Sequence, residues 1–339
     1  MFRPKLITSL FISLLIFTAC QTAGGPTTEP ARTALTEIDV MLDWVPNTNH
    51  TGLFVAQNKG WYEDVGLKVN IIQAGESPVE QVVAAGSAAF GISYQEAVTL
   101  ARAEKAPLVS LAAVIQHNTS GFASRADRDL TRPQDFEGKT YGGWGSPVER
   151  AILDLLMSCD GGDVNQVKFV DTGFADFFAI TEKEVDFAWI FYGWDGINAE
   201  LKDIDLNVVM LNDWQECVPD YYTPVIITNE QQISQQPELV RAFMAATARG
   251  YEYAMQHPAE AADILLAASP ESDPALLKAS QQWLADQYQA DAPQWGLQQP
   301  VVWQRYADWL YEAGLLPQKI DAAAAFTNDF LPQAGQARP

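Results

Sequence analysis

The sequence predicts an α/β protein built on mostly parallel sheets and divided into two lobes. Three observations carry this. Short apolar runs alternate with helical patterns over residues 38–114 and again over 140–228, and such alternation builds parallel sheets with helices on their faces. The 339 residues are 48% apolar and 19% charged, which provides for about two domains with full cores. Polar, Pro- or Gly-broken loops follow several strand candidates, and open α/β sheets place their ligands at those carboxyl edges.

Ahead of the first strand, Arg3 and Lys5 precede an apolar run over 6–17 and the small residues of Thr18-Ala19-Cys20. The run is too short for a bilayer span and suits the core of a signal peptide, expected over 1–19. A cysteine at the cleavage point resembles the bacterial lipoprotein box, with Phe17 where Leu is usual. In that box the cysteine carries lipid, which would hold the protein on the extracytoplasmic side of the cell membrane through Cys20. Ordinary cleavage with Cys20 as a spare residue is the alternative. Residues 20–36, with Thr, Gly, Pro and Glu and no apolar period, read as a flexible tether.

The first strand is expected over 38–42 and ends at Asp43. A Pro-broken loop follows, and a helix over 51–58 starts near His50 and Thr51. Trp44 in this loop can stack on a flat ring or belong to the core. Asn47, Asn49 and His50 can hydrogen-bond a heterocycle or serve as turn and cap residues. A strand over 67–73, a helix over 79–85 and a short strand over 90–93 come next. The last of these delivers Tyr94 and Gln95 to a carboxyl edge ahead of a helix over 95–104. The strand over 108–114 leads to Gln116-His117-Asn118-Thr119-Ser120. Asn118 in this run either lines a cleft or satisfies the backbone of a crossover near 121–124.

A second unit opens with a strand over 140–142 and the turn Gly142-Gly143-Trp144-Gly145-Ser146. Its glycines allow close backbone approach to a ligand at a helix N-terminus, or form a tight turn with an exposed Trp144. The turn is neither a P-loop nor a GxGxxG dinucleotide motif. Pro147 suits the first turn of the helix over 148–158. Strands are expected over 167–170, 187–190 and 206–211. The chain then returns along 224–228, next to Tyr222. The run Trp189-Ile190-Phe191-Tyr192-Gly193-Trp194-Asp195 is the densest aromatic cluster. Its rings can wall a site opposite Trp44, and Asp195 can accept a ring or amine N–H. Helices over 237–256, 258–268, 274–288 and 300–313 each begin with Pro. The division follows: residues 37–122 and 226–339 form lobe 1, and residues 123–225 form lobe 2.

The net charge of −22 argues against nucleic acid and anionic membrane surfaces as partners and fits a soluble monomer. Cys159 and Cys217 can pair outside the cytosol or remain two buried thiols, and spacing alone does not decide. No spacing of Cys and His marks a metal site, and no cofactor is expected.

In their order and wording, the segment Asp43–Gly52, Gly91-Ile92-Ser93-Tyr94-Gln95, Gln116–Gly121, Gly142–Pro147, Trp189 with Tyr192-Gly193-Trp194, and Tyr221-Tyr222-Thr223-Pro224 resemble the solute-binding lipoproteins of ABC importers for thiamine pyrimidine precursors. A related branch is used for riboflavin. The resemblance spans nearly the whole chain after the leader. It implies a two-lobe periplasmic-binding fold, type II-like, hinged at two crossovers, which closes on a small aromatic ligand and docks on a permease with its ATPase. The superfamily also holds a fungal enzyme that makes the pyrimidine from its own histidine and pyridoxal phosphate. His50 matches that position, but the enzyme's cysteine-rich iron motif and an adjacent Lys are missing here, so no catalysis is expected. Pyrimidine carriers of this family have Glu where this chain has Asp195. The shorter acid and the aromatic load tip the expected ligand toward riboflavin over formylaminopyrimidine or hydroxymethylpyrimidine. A sulfonate or amino-acid carrier would need an Arg or Lys clamp, which these motifs lack.

Overall fold

The fold is that of a computed structural model, which describes residues 34–333 except Glu76 and Phe174. The expected signal segment, Cys20 and nearly all of the tether lie outside the described residues. Ten strands are present: β1 Thr36–Met41, β2 Leu67–Ile72, β3 Phe90–Ser93, β4 Leu108–Ala113, β5 Ser120–Arg125, β6 Thr140–Gly143, β7 Lys168–Asp171, β8 Phe187–Phe191, β9 Leu206–Met210 and β10 Val225–Asn229.

They form two five-stranded sheets, ordered β2-β1-β3-β10-β4 and β7-β6-β8-β5-β9. Strand β10 is antiparallel to both its neighbours, and so is β5. The reason is the route of the chain. A parallel strand ends at the edge that faces the other lobe. A chain crossing there enters the second sheet at the same kind of edge and must run away from it. Accordingly, Ser120 at the start of β5 pairs with Phe191 at the end of β8, and Val225 at the start of β10 pairs with Ser93 at the end of β3.

The helices are α1 Thr51–Asn58, α2 Trp61–Asp64, α3 Val79–Ala84, α4 Gln95–Ala103, α5 Pro147–Cys159, α6 Phe177–Lys183, α7 Ile197–Leu201, α8 Glu230–Gln235, α9 Pro237–Gln256, α10 Pro258–Ala268, α11 Pro274–Leu284 and α12 Pro300–Glu312. Among these, α2, α6, α7 and α8 are additions to the sequence reading. They are too short to show a 3.6-residue period. Helix α11 ends four residues before the expected stop. Tyr288 turns inward instead, and its hydroxyl donates to Thr48 O (2.5 Å) and Gln281 Oε1 (3.0 Å). Among the described residues no helix is long and apolar enough to cross a membrane.

Helices α1 and α9 cross closely in the first lobe. A Cβ on Gly250 would lie 2.0 Å from Gly52 O, and one on Gly52 would lie 2.3 Å from the Tyr251 ring. Helix α12 serves both lobes. Trp303 and Ala307 pack with Met41, Val98 and Tyr222 beside the first sheet, while Tyr306 and Leu310 join Phe122, Trp189 and Tyr221 beside the second. Cys159, closing α5, is joined to Cys217 with Cα atoms 6.2 Å apart, a separation that suits a disulfide. Of the two states that spacing left open, the structure has the paired one.

Candidate functional site

The loops after β1, β3, β6 and β8 all lie at carboxyl edges, and the two sets face each other across a cleft. The lobes touch there. Trp44 is 45% exposed and stands edge-on to Trp194 at 6.4 Å. Trp194 also packs against the first-lobe core. Beside it, Ser280 on α11 donates to Gly193 O and shares a 2.6 Å hydrogen bond with Thr48.

On the first lobe, the loop after β1 is internally satisfied. Asn47 caps the turn: its Oδ1 accepts from Asn49 N (2.9 Å) and its Nδ2 donates to Val45 O. His50 is fully buried. Its Nδ1 accepts from Asn47 N at 3.2 Å, so the proton sits on Nε2 and is donated to Asp43 Oδ1 at 2.6 Å. The other Asp43 oxygen accepts from Tyr94 OH at 2.7 Å. Burial pushes the Asp43 carboxyl up, but the His50 ring and the Tyr94 hydroxyl outweigh it and hold the group below its ordinary range. Burial, then Asp43, Glu96 and Glu80, push the Tyr94 phenol well up. His50 is therefore a helix-start and positioning residue whose two nitrogens are both committed. Asn49 reaches the core through its backbone carbonyl, which accepts from Tyr251 OH.

Three expected ligand contacts have structural duties. Gln95 is fully buried; its Oε1 accepts from Tyr222 N and its Nε2 donates to Val302 O. Tyr222 is 1% exposed, its hydroxyl accepting from Gln299 N at 2.8 Å, so it is core and not a stacking wall. Asn118 lies buried at the first crossover, where its Oδ1 accepts from Ser120 N and Ser120 Oγ while its Nδ2 is without a partner. Polar side chains at strand ends close backbone as readily as they bind ligand, and the sequence does not separate the two.

On the second lobe, residues Tyr192–Gly196 form a wide π-helical turn that sends its side chains in different directions. Trp194 faces Trp44. Tyr192 turns away to the Glu200 carboxylate (2.6 Å) and the Trp283 ring; it lines a separate cavity of about 360 Å³ on the outer side of this lobe. Asp195 Oδ2 accepts from Phe191 N at 3.3 Å, and burial raises its carboxyl to about 6. Trp144 leans on Trp189 at 5.3 Å. Trp189 packs on Phe122, is 9% exposed, and its indole N–H is buried without a partner.

The sequence reading passed over a group of acids and phenols. Glu80, Glu96 and Glu149 stand in the first turns of α3, α4 and α5. Acids are common there because they complement the helix dipole, which hid them. Glu149 closes a capping box: it accepts from Tyr141 OH (2.7 Å), Trp144 N (3.1 Å) and Ser146 N (2.6 Å). Burial still raises its carboxyl. Glu80 accepts from Ser93 Oγ. Glu96 is raised to about 7, by burial first and then by Glu149 and Glu80. Its side chain is partly buried. Tyr221 and Tyr306 stack at 4.6 Å, both within the field of Glu96. Tyr306 comes from α12, too far along the chain for any motif to include it.

Two sheets of matching strand order, joined by two crossovers and facing across a cleft, define a two-lobe protein of the periplasmic-binding class. The aliphatic sulphonate binding protein SsuA from Escherichia coli shares the fold, with a TM-score of 0.67 at 15% identity over 90% of this chain and 96% of that one. Residues 47–261 match the family described as NMT1/THI5 like, and the chain belongs to it. A formylaminopyrimidine-binding protein from Halalkalibacterium halodurans is 31% identical over 95% of this chain and 98% of its own length. Riboflavin-binding protein RibY from Chloroflexus aurantiacus is 27% identical over 98% and 99%.

Proposed function

We propose that the chain is the solute-binding lipoprotein of an ABC importer, anchored by lipid on Cys20 outside the cell membrane. It captures a flat, amino-bearing heterocycle of the formylaminopyrimidine kind and delivers it to the permease and its ATPase. The lobes, 37–122 with 226–339 and 123–225, close about the two crossovers and shut the ring between Trp44 and Trp194.

The observation that carries this reading is the chemistry of the cleft. The acids in the carboxyl-edge loops and first helical turns come from both lobes, Asp43, Glu80 and Glu96 on one side, Glu149 and Asp195 on the other, and all but Glu96 already accept a hydrogen bond from the protein. An acceptor-rich cleft suits a ligand that brings N–H donors and disfavours an anion such as a sulfonate. The relative named for formylaminopyrimidine supports the same choice.

Riboflavin, which the sequence alone favoured, is the second reading. The RibY relative and the broad face of Trp44 support it. Its two sequence arguments weaken in the structure. Trp189 and Tyr222 are core residues, and Asp195 spends a carboxylate oxygen on Phe191 N. A synthase reading would need His50 to be available, and both its nitrogens are engaged inside a buried loop.

The test is quenching of tryptophan fluorescence by each heterocycle in turn. Saturable submicromolar quenching by formylaminopyrimidine, with much weaker quenching by riboflavin, is expected. The reverse pattern would move the assignment to riboflavin, and no saturable response to either would overturn the carrier reading.

A further inference from the structure

Glu96 differs from the other cleft acids because no hydrogen bond reaches its carboxyl among the described residues. The charged groups that act on it, Glu149 and Glu80, are themselves acids. Two buried donors in the cluster that α12 joins are also unspent. Tyr306 OH, on a fully buried side chain, and Trp189 Nε1, on a side chain nine-tenths buried, have no hydrogen-bond partner. Tyr306 packs in the cluster that takes in Leu100 and Ala103 of α4, the helix whose first turn carries Glu96, and it lies in the field of Glu96; Trp189 belongs to the same cluster. A buried neutral donor left unpaired costs about 1–3 kcal/mol. That cost is removed when a ligand supplies the partners.

We infer that Glu96, with the Tyr306 hydroxyl from α12, which packs on α4, is an anchoring subsite for the amidine edge of an aminopyrimidine. This rests on the carrier reading above and names the group that recognises the ligand. A carboxylate can accept from two adjacent donors, here a protonated ring nitrogen and the exocyclic amine. The imide edge of an isoalloxazine would instead turn two carbonyl oxygens toward it. One proton is shared in the complex: it leaves the Glu96 carboxyl, or solvent once Glu96 has ionised, and ends on the ring nitrogen facing the carboxylate. Tyr306 then donates to a ligand acceptor.

Proton uptake gives this subsite its own signature. The groups that face Glu96 are Glu80 from α3, Glu149 from α5, Tyr94 before α4, Tyr221 before β10 and Tyr306 from α12. The three phenols are held well above their ordinary range and do not titrate near neutrality. Above about pH 7, where Glu96 ionises, affinity for formylaminopyrimidine must fall as pH rises, approaching about tenfold per pH unit.

The experiment is calorimetric titration of the full chain with formylaminopyrimidine across that range, repeated in two buffers of different ionisation heat, for the wild type, Glu96→Gln and Tyr306→Phe. Expected are proton uptake by the wild type, an affinity loss of about tenfold or more in Glu96→Gln with the uptake abolished, and a several-fold loss in Tyr306→Phe. Wild-type affinity and unchanged uptake in Glu96→Gln would overturn the subsite and leave the carrier reading standing. So would a pH-independent wild-type affinity, which keeps the inference testable if Glu96→Gln fails to fold. A wild type that binds neither heterocycle overturns the carrier reading beneath it.

Discussion

The Asp43 side of the cleft and the Glu96 side hold similar groups and use them differently. At Asp43 each polar atom has a partner within its own lobe: Asn47 N bonds His50 Nδ1, His50 Nε2 bonds Asp43, and Asp43 bonds Tyr94 OH. On the Glu96 side the carboxyl accepts no hydrogen bond among the described residues, and the Tyr306 hydroxyl from α12 is buried without a partner. A satisfied network fixes a loop in place, while an unsatisfied one waits for a ligand. The loop with the most eye-catching sequence is thus the frame that presents Trp44. Recognition falls to groups the sequence leaves inconspicuous.

The largest effect that separates the two sides is on stability. Asp43→Ala strands a buried His50 and a buried Tyr94 hydroxyl, and should cost about 3 kcal/mol or more, read as a lowered urea midpoint. Asp43→Asn keeps an acceptor for one partner and should cost clearly less. Glu96→Gln should leave the midpoint near that of the wild type or raise it, because the carboxyl has no hydrogen-bond partner to lose and two acids repel it. A stability loss at Glu96 equal to that of Asp43→Ala would erase the distinction.

Next in size is the effect of the facing rings on binding. Trp194→Ala should weaken ligand affinity by about tenfold, by analogy with stacked bases, with the fold intact. Trp44→Ala should do so by less, since Trp44 is nearly half exposed and Trp194 also packs on the opposite lobe. Unchanged affinity in both variants would take the two rings out of the site and leave binding to the polar floor alone.

How far the sequence reveals these regions follows from the range of the forces involved. The sheets were legible because apolar runs and helical periods are local, and the turn-and-cap role open to Asn47 and His50 could be read from their place at a helix start. The fate of Gln95, Asn118 and Tyr222 was not legible: a polar residue at a strand end bonds either backbone or ligand, and the partners of Gln95 and Tyr222 come from residues 222, 299 and 302. Tyr192 and Trp194 looked like one wall, but the wide turn that carries them points them apart. Glu96 was masked by the ordinary preference for acids in a first helical turn, and Tyr306 reaches it only through the packing of α12 on both lobes.

The smallest effect lies where the two sides are joined. His117, just before the first crossover strand, bonds Asp220 before the second through Nδ1 (2.6 Å), and Asp291 after α11 through Nε2 (2.9 Å). With a carboxylate on each nitrogen the ring is a double donor, and the bond to Asp220, opposed by burial and aided by Asp291, raises its pKa from 6.5 to about 9. A histidine raised in the folded state adds stability that is fully present below its unfolded value and is lost as pH climbs through the folded one. The window here is therefore about pH 6.5 to 9. The ring is about a third exposed and Asp291 mostly so, so solvent and salt screen the gain. Urea midpoints should fall modestly across this window in the wild type, after subtraction of the same curve for His117→Asn. If the two curves run parallel, the His117 contacts do not hold the crossovers together. A difference that grows toward alkaline instead of acid pH would mean that the ring is neutral in the folded protein.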